Sequence, residues 1–181
     1  MKSSFLEIAP TGTVPALHDP ERNLTLWESN AILCYLAEKY DLVDLYPTDI
    51  GQRALVNQWL HWHHGNSRQF TYALFAPVVR KDLKISQEQV DRDTKRLTGI
   101  ARTMDNHLKV HRYLTGDDVS LADIACYEDV GQCNEQNIQL FDFSPYPSVV
   151  DWMHRMEQLP GFKESHGVVL KLKKFFKKSN I

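Results

Sequence analysis

The sequence predicts a two-part chain, α/β plus all-α: a small strand-and-helix unit over residues 1–43, then an all-helical unit over 49–181. Three observations carry this. Pro10, Gly12, Pro15 and Pro20 punctuate two short apolar pieces, VPAL at 14–17 and LTLW at 24–27, and no convincing strand follows them. From Asn30 the apolar residues recur at helical spacing. Between the two textures, DLVDLYPTDI at 41–50 is a polar, proline-marked connection.

The two apolar pieces, separated by DPERN at 19–23, read as a strand–turn–strand. Ala31, Ile32, Tyr35 and Leu36 then form the apolar face of a helix that closes at Lys39 and Tyr40. Residues 52–75 read as one long helix with Leu55, Trp59, Trp62 and His63 on a recurring face, and Pro77 should end or bend it. A second long helix, 86–113, opens on the capping-box spacing of Ser86 and Gln89 and carries Val90, Leu97, Ile100, Ala101, Met104 and Leu108 at steps of three or four. Ser120 and Asp123 form a second such box, with Val119 and Ile124 at the staple positions. Shorter helices follow over 147–158 and after Gly161. The tail KLKKFFKKSNI surrounds Leu172, Phe175 and Phe176 with lysines, as expected of a short terminal helix docking its apolar face. Two strands and a helix are too few to make an independent sheet with a covered face, so the first unit resembles half of a larger domain.

Composition narrows the function. The 181 residues are 43% apolar and 24% charged, with a formal net charge of −2, values of a globular protein without the basic excess that nucleic-acid binding favours. No apolar run reaches the roughly 20 residues of a membrane helix, and MKSSFLEIAP lacks a signal-peptide core. Cys34, Cys126 and Cys133, odd in number and widely spaced, read as reduced thiols in the cytoplasm. His61, His63 and His64 are close in sequence, but without HExxH or an adjacent Cys/Asp set they predict no metal site.

One short stretch invites a ligand. In TLWESNAI, residues 25–32, Glu28 and Ser29 stand where a helix begins. Either they punctuate that start, or they hold something. A helix N-terminus attracts a carboxylate, Ser29 adds a hydroxyl donor, and Glu28 attracts an ammonium group. Together they complement an α-amino-acid zwitterion.

These residues also match a family. FLEIAPTGTVPAL (5–17) and LTLWESNAILCYLAEKY (24–40) resemble the second half of the thioredoxin-like domain of cytosolic glutathione transferases, whose pattern is F-L-x-x-N-P-x-G-x-V-P-x-L followed by L-x-E-S-x-A-I-x-x-Y-L. Ala9 alone departs, standing where the family has Asn. RALVNQWLHWHHGNSR (53–68) is similar to the fourth-helix segment of the theta-like branch, and DVSLADI (118–124) to the helix-start box of the helical domain. The resemblance implies a partial thioredoxin-like domain followed by the family's all-helical C-terminal domain. It implies that the strand–helix–strand carrying the catalytic Ser, Tyr or Cys precedes the matched segment, so no catalytic residue is identifiable in this chain. It assigns the γ-glutamyl head of glutathione to Glu28 and Ser29, and a cis Val14–Pro15 bond that turns the Val14 backbone toward the cysteinyl peptide. Lys2, for the glycyl carboxylate, and Arg68, facing the electrophile pocket, are further candidates. Glutathione is then the co-substrate, with a hydrophobic electrophile as acceptor, a homodimer as the assembly, and no metal, nucleic acid or membrane involved. The implied activity is conjugation of the glutathione thiolate, or a peroxidase side activity, by a full or shortened enzyme. A non-catalytic binding or scaffold module and a dimerisation domain of a translation-factor assembly are the alternatives.

Overall fold

A computed structural model describes residues 3–80, 82, 85–134, 137–168 and 171, so most of the tail expected to dock as a terminal helix lies outside the described residues. The chain divides into two compact units, Met1–Arg53 and Ala54–Ile181. In the first, a short helix α1 (Ser3–Ile8) leads into strands β1 (Ala16–Asp19) and β2 (Leu24–Trp27), and helix α2 (Ser29–Lys39) follows directly. The strands pair antiparallel, Ala16 opposite Trp27 through to Asp19 opposite Leu24. The expected hairpin is therefore present, moved two residues along at its start, because the ladder begins only after Pro15, which has no N–H to give it. Its turn spans 20–23, with Asn23 in the left-handed region at φ 47°, a conformation Asn tolerates.

Asp19 closes β1 and ties the hairpin to α2. Lys39 Nζ reaches its carboxylate at 2.6 Å, the Tyr35 hydroxyl donates to the same oxygen, and the Glu21 N–H donates to the other at 3.0 Å. Tyr35 and Lys39 share a helix face because they are four residues apart. The Lys39 ammonium, with the Tyr35 hydroxyl, holds the Asp19 carboxyl well below the usual carboxylate range.

The second unit departs from the predicted single helix over 52–75. Helix α3 (Ile50–Gly65) stops, a π turn occupies Thr71–Phe75, and a short helix α4 (Ala76–Val79) follows. The break has local and distant causes. The Asn66 amide donates to the Trp62 carbonyl at 2.8 Å, competing with the helical ladder, and the Arg68 N–H reaches back five residues to His63 O at 3.1 Å. The Thr71 hydroxyl is drawn to Asp129, 58 residues away. Pro77 sits in the first turn of α4, where its missing N–H costs nothing. On α3 the core face is Val56, Trp59, Leu60 and His63, whereas Leu55, expected inside, is exposed.

Helix α5 (Gln87–Leu108) begins at the expected Ser86, whose hydroxyl accepts the Gln89 N–H at 3.2 Å. It ends five residues before the predicted 113, since Tyr113 leaves the helix to bridge Gly116. Val90 is exposed, while Leu97, Ile100, Met104 and Leu108 face inward. α5 packs on α7 (Pro147–Met156), with α6 (Leu121–Val130) beside it and the short α8 (Phe162–Ser165) beyond. Both halves of the α6 capping box form. Fully buried Asp123 accepts the Ser120 N–H at 3.0 Å, the Leu114 N–H at 2.8 Å and the Trp152 indole N–H at 2.9 Å, so one carboxylate joins the helix start, a loop and α7.

Candidate functional site

The hairpin brings the candidate residues to one end. Its last pair is Ala16 opposite Trp27; Val14 and Pro15 precede the first of these in the chain, and Glu28 and Ser29 follow the second. All four therefore stand at the open end of one ladder, above the first turn of α2. The Val14–Pro15 bond is cis, as the resemblance implies, and Val14 is 75% exposed. Among the described residues its N–H and C=O take no hydrogen bond. That is an unused strand edge, open to an extended peptide.

Glu28 and Ser29 do not serve the helix start. Glu28 is the cap residue by position, but its side chain makes no capping bond; only its carbonyl enters the ladder, accepting the Ile32 N–H at 3.0 Å. Ser29 already lies inside the helix. Among the described residues neither the Glu28 carboxylate nor the Ser29 hydroxyl has a hydrogen-bond partner. Glu28 is also held at φ 75°, a region a side chain enters only at a cost, and that conformation carries the chain from β2 into α2 within one residue. The first N–H groups of α2 have no intrahelical acceptor, which gives the site its partial positive charge.

The other candidates are placed differently. Lys2 lies outside the described residues. Arg68 belongs to the helical unit, where its Nε donates to the Tyr72 hydroxyl at 3.1 Å and its guanidinium lies 5.4 Å from that ring's centroid. His63 is buried and paired with Asp129 at 2.5 Å, whereas His61 is exposed. Cys126 and Cys133 are buried, and burial pushes both thiols far above their ordinary range, so they are inert as nucleophiles.

Two polar groups escaped sequence reasoning. The Asp19–Tyr35–Lys39 tie spans 16 and 20 residues, beyond any local spacing rule, although Tyr35 and Lys39 four apart on a helix were a signal for half of it. Asp129 joins His63 and Thr71, and Gln132 donates to the Thr71 hydroxyl; no sequence spacing links these positions across the unit.

Comparison with known proteins finds matches for both parts of the chain. Residues 1–39 match the model described as glutathione S-transferase, N-terminal domain, and residues 69–160 match glutathione S-transferase, C-terminal domain. Among solved structures, a delta-class glutathione transferase of Nilaparvata lugens superposes with a TM-score of 0.81 at 27% identity, over 99% of this chain and 81% of that one. A glutathione S-transferase from Pseudomonas fluorescens gives 0.77 at 30% identity, over 88% and 76%. Human glutathione transferase theta-2, in complex with glutathione, gives 0.81 at 26% identity, over 99% and 76%.

Proposed function

The chain belongs to the glutathione S-transferase family, and from that premise we propose that it grips glutathione at the hairpin end and presents its sulfur to an electrophile. The carrying observation is that Glu28 and Ser29, at the N-terminus of α2, are left without partners by the fold while the backbone is held in a costly conformation to display them. Glu28 takes the γ-glutamyl ammonium, and Ser29 with the first N–H groups of α2 takes the α-carboxylate. Val14 offers N–H and C=O to the cysteinyl residue as an added strand would. Arg68 and Lys2 are held as contacts to the electrophile and to the glycyl carboxylate.

Bound this way, the tripeptide is fixed at its amino-acid head and its middle peptide, so its sulfur is oriented rather than diffusing. The reacting species is the thiolate, which a free thiol with a pKa near 8.5 supplies only as a minor fraction at neutral pH. Its sulfur forms the bond to an electrophilic carbon, the leaving group departs with the electron pair, and the thiol proton goes to solvent. The reading extends to a cytoplasmic homodimer acting on a hydrophobic acceptor.

Glu28→Ala and Ser29→Ala each remove one charge-assisted contact, worth roughly 1.5–3 kcal/mol, so glutathione affinity should fall about ten- to a hundred-fold. Retention on immobilised glutathione and calorimetric titration measure this, with circular dichroism showing that the variants remain folded. Folded variants that bind as the parent does would remove the assignment.

A further inference from the structure

The helical unit contains a cavity of ≈ 630 Å³ that the glutathione reading does not use. It lies between the loop at 139–144 and the outward face of α7. Its α7 wall is Pro147, Val150, Asp151 and His154, at steps of three, one and three that set them on one helix face, together with the buried Met153. Its volume falls in the range of roughly 300–1,000 Å³ in which small-molecule pockets lie.

The lining has two parts. The floor is apolar and aromatic. Phe141 and Phe143 lie 4.8 Å apart between centroids, and both pack on fully buried Phe70, at 5.1 and 5.6 Å. The rim carries Asp142, Asp151 and His154, all exposed. One oxygen of Asp142 accepts the Ser144 N–H at 2.9 Å, and Ser144 holds the Asp142 carboxyl below the ordinary carboxylate range. The Ser144 hydroxyl also hydrogen-bonds the Asp142 carboxylate, whereas Asp151 takes no hydrogen bond among the described residues. No lysine or arginine is among the described residues that line the cavity.

We propose that this cavity is a binding site for a small aromatic molecule carrying a protonated amine. The ring enters against Phe141, Phe143 and Val150, and the ammonium stays at the rim beside Asp142 and Asp151. Two features favour a cation over a neutral or anionic ligand. Among the described lining residues no lysine or arginine offsets the rim carboxylates, His154 being the one basic side chain there, and an anion would meet two like charges. The volume fits one drug-sized molecule rather than a folded partner. Every residue named belongs to the unit 54–181, whereas Glu28 and Ser29 belong to the other.

The test is calorimetric titration of the full chain at pH 7.5 with naphthylmethylamine, naphthylmethanol and naphthaleneacetate, which share a ring and differ in charge. The amine should bind about tenfold tighter than the alcohol, with the carboxylate weakest. The double variant Asp142→Asn/Asp151→Asn keeps the side-chain shapes and should bring the amine's affinity down to about that of the alcohol. Val150→Trp, which fills the cleft from a half-exposed helix position, should weaken all three. Saturating glutathione should leave the amine titration unchanged. Equal binding of the three compounds, an amine affinity indifferent to the double variant or to Val150→Trp, or competition by glutathione would each overturn the assignment.

Discussion

At the scale of single residues, Glu28 and Asp123 show opposite uses of a carboxylate. Asp123 is wholly engaged by its fold, and removing it strands several partners. Asp123→Ala loses a helix cap and leaves the buried Trp152 indole N–H unpaired, so it should cost about 2–5 kcal/mol. Asp123→Asn retains an acceptor for Trp152 but turns an NH₂ toward the Ser120 N–H, and should cost about 1–3 kcal/mol; urea unfolding midpoints order the two variants. Glu28 is the reverse, a residue its fold would rather exchange. Glycine enters φ 75° without the side-chain penalty, so Glu28→Gly should raise stability by about 1 kcal/mol while abolishing retention on glutathione. A higher urea midpoint together with lost binding is the expected pair of results.

At the scale of elements, the hairpin and α2 are joined by Asp19, and the joint depends on its charge. The carboxyl's folded pKa is depressed, so the stabilisation is fully present above the unfolded value near 3.9 and is lost as pH falls below about 4. Lys39→Met removes the main cause of that depression. The difference in urea midpoint between parent and Lys39→Met should be clear at pH 7 and should shrink between pH 4 and pH 3. The elements themselves were largely legible beforehand. Proline punctuation marked the two strands, the step from period two to helical spacing marked α2, and the Ser120–Asp123 spacing located the start of α6. Residues 66–75 were not legible, because apolar spacing runs on through a segment whose path is decided by the Asn66 amide and by Thr71 reaching Asp129. The end of α5 was hidden for a similar reason: Leu108 and Tyr113 are both apolar and both buried, but only one is helical. At the candidate site, residue identities were readable from the motif, whereas the left-handed backbone of Glu28 and the missing side-chain cap were not, since Ser beside Glu is equally the spelling of an ordinary helix start.

At the scale of the whole molecule, burial is uneven. Among the described residues, the buried apolar side chains of the first unit are Ala9, Ile32, Ala37 and Tyr46, while the helical unit buries whole faces of α5, α6 and α7. A two-stranded hairpin is marginal on its own. Hydrogen–deuterium exchange should therefore be faster across β1, β2 and α2 than in peptides from α5 and α7, and saturating glutathione should slow the first group selectively. The π turn at Thr71–Phe75 bears on how this protein tolerates changes in length. A π turn spends about one residue more than an α turn over the same rise, so the chain carries a spare position there. Deleting one residue between 72 and 75 would let the segment close as an ordinary α turn over the same rise, so Thr71 and Pro77 would keep their mutual direction and the Thr71–Asp129 hydrogen bond its geometry. The spare residue is thus slack in the chain, a position this protein can lose without turning one stretch of helix against the next.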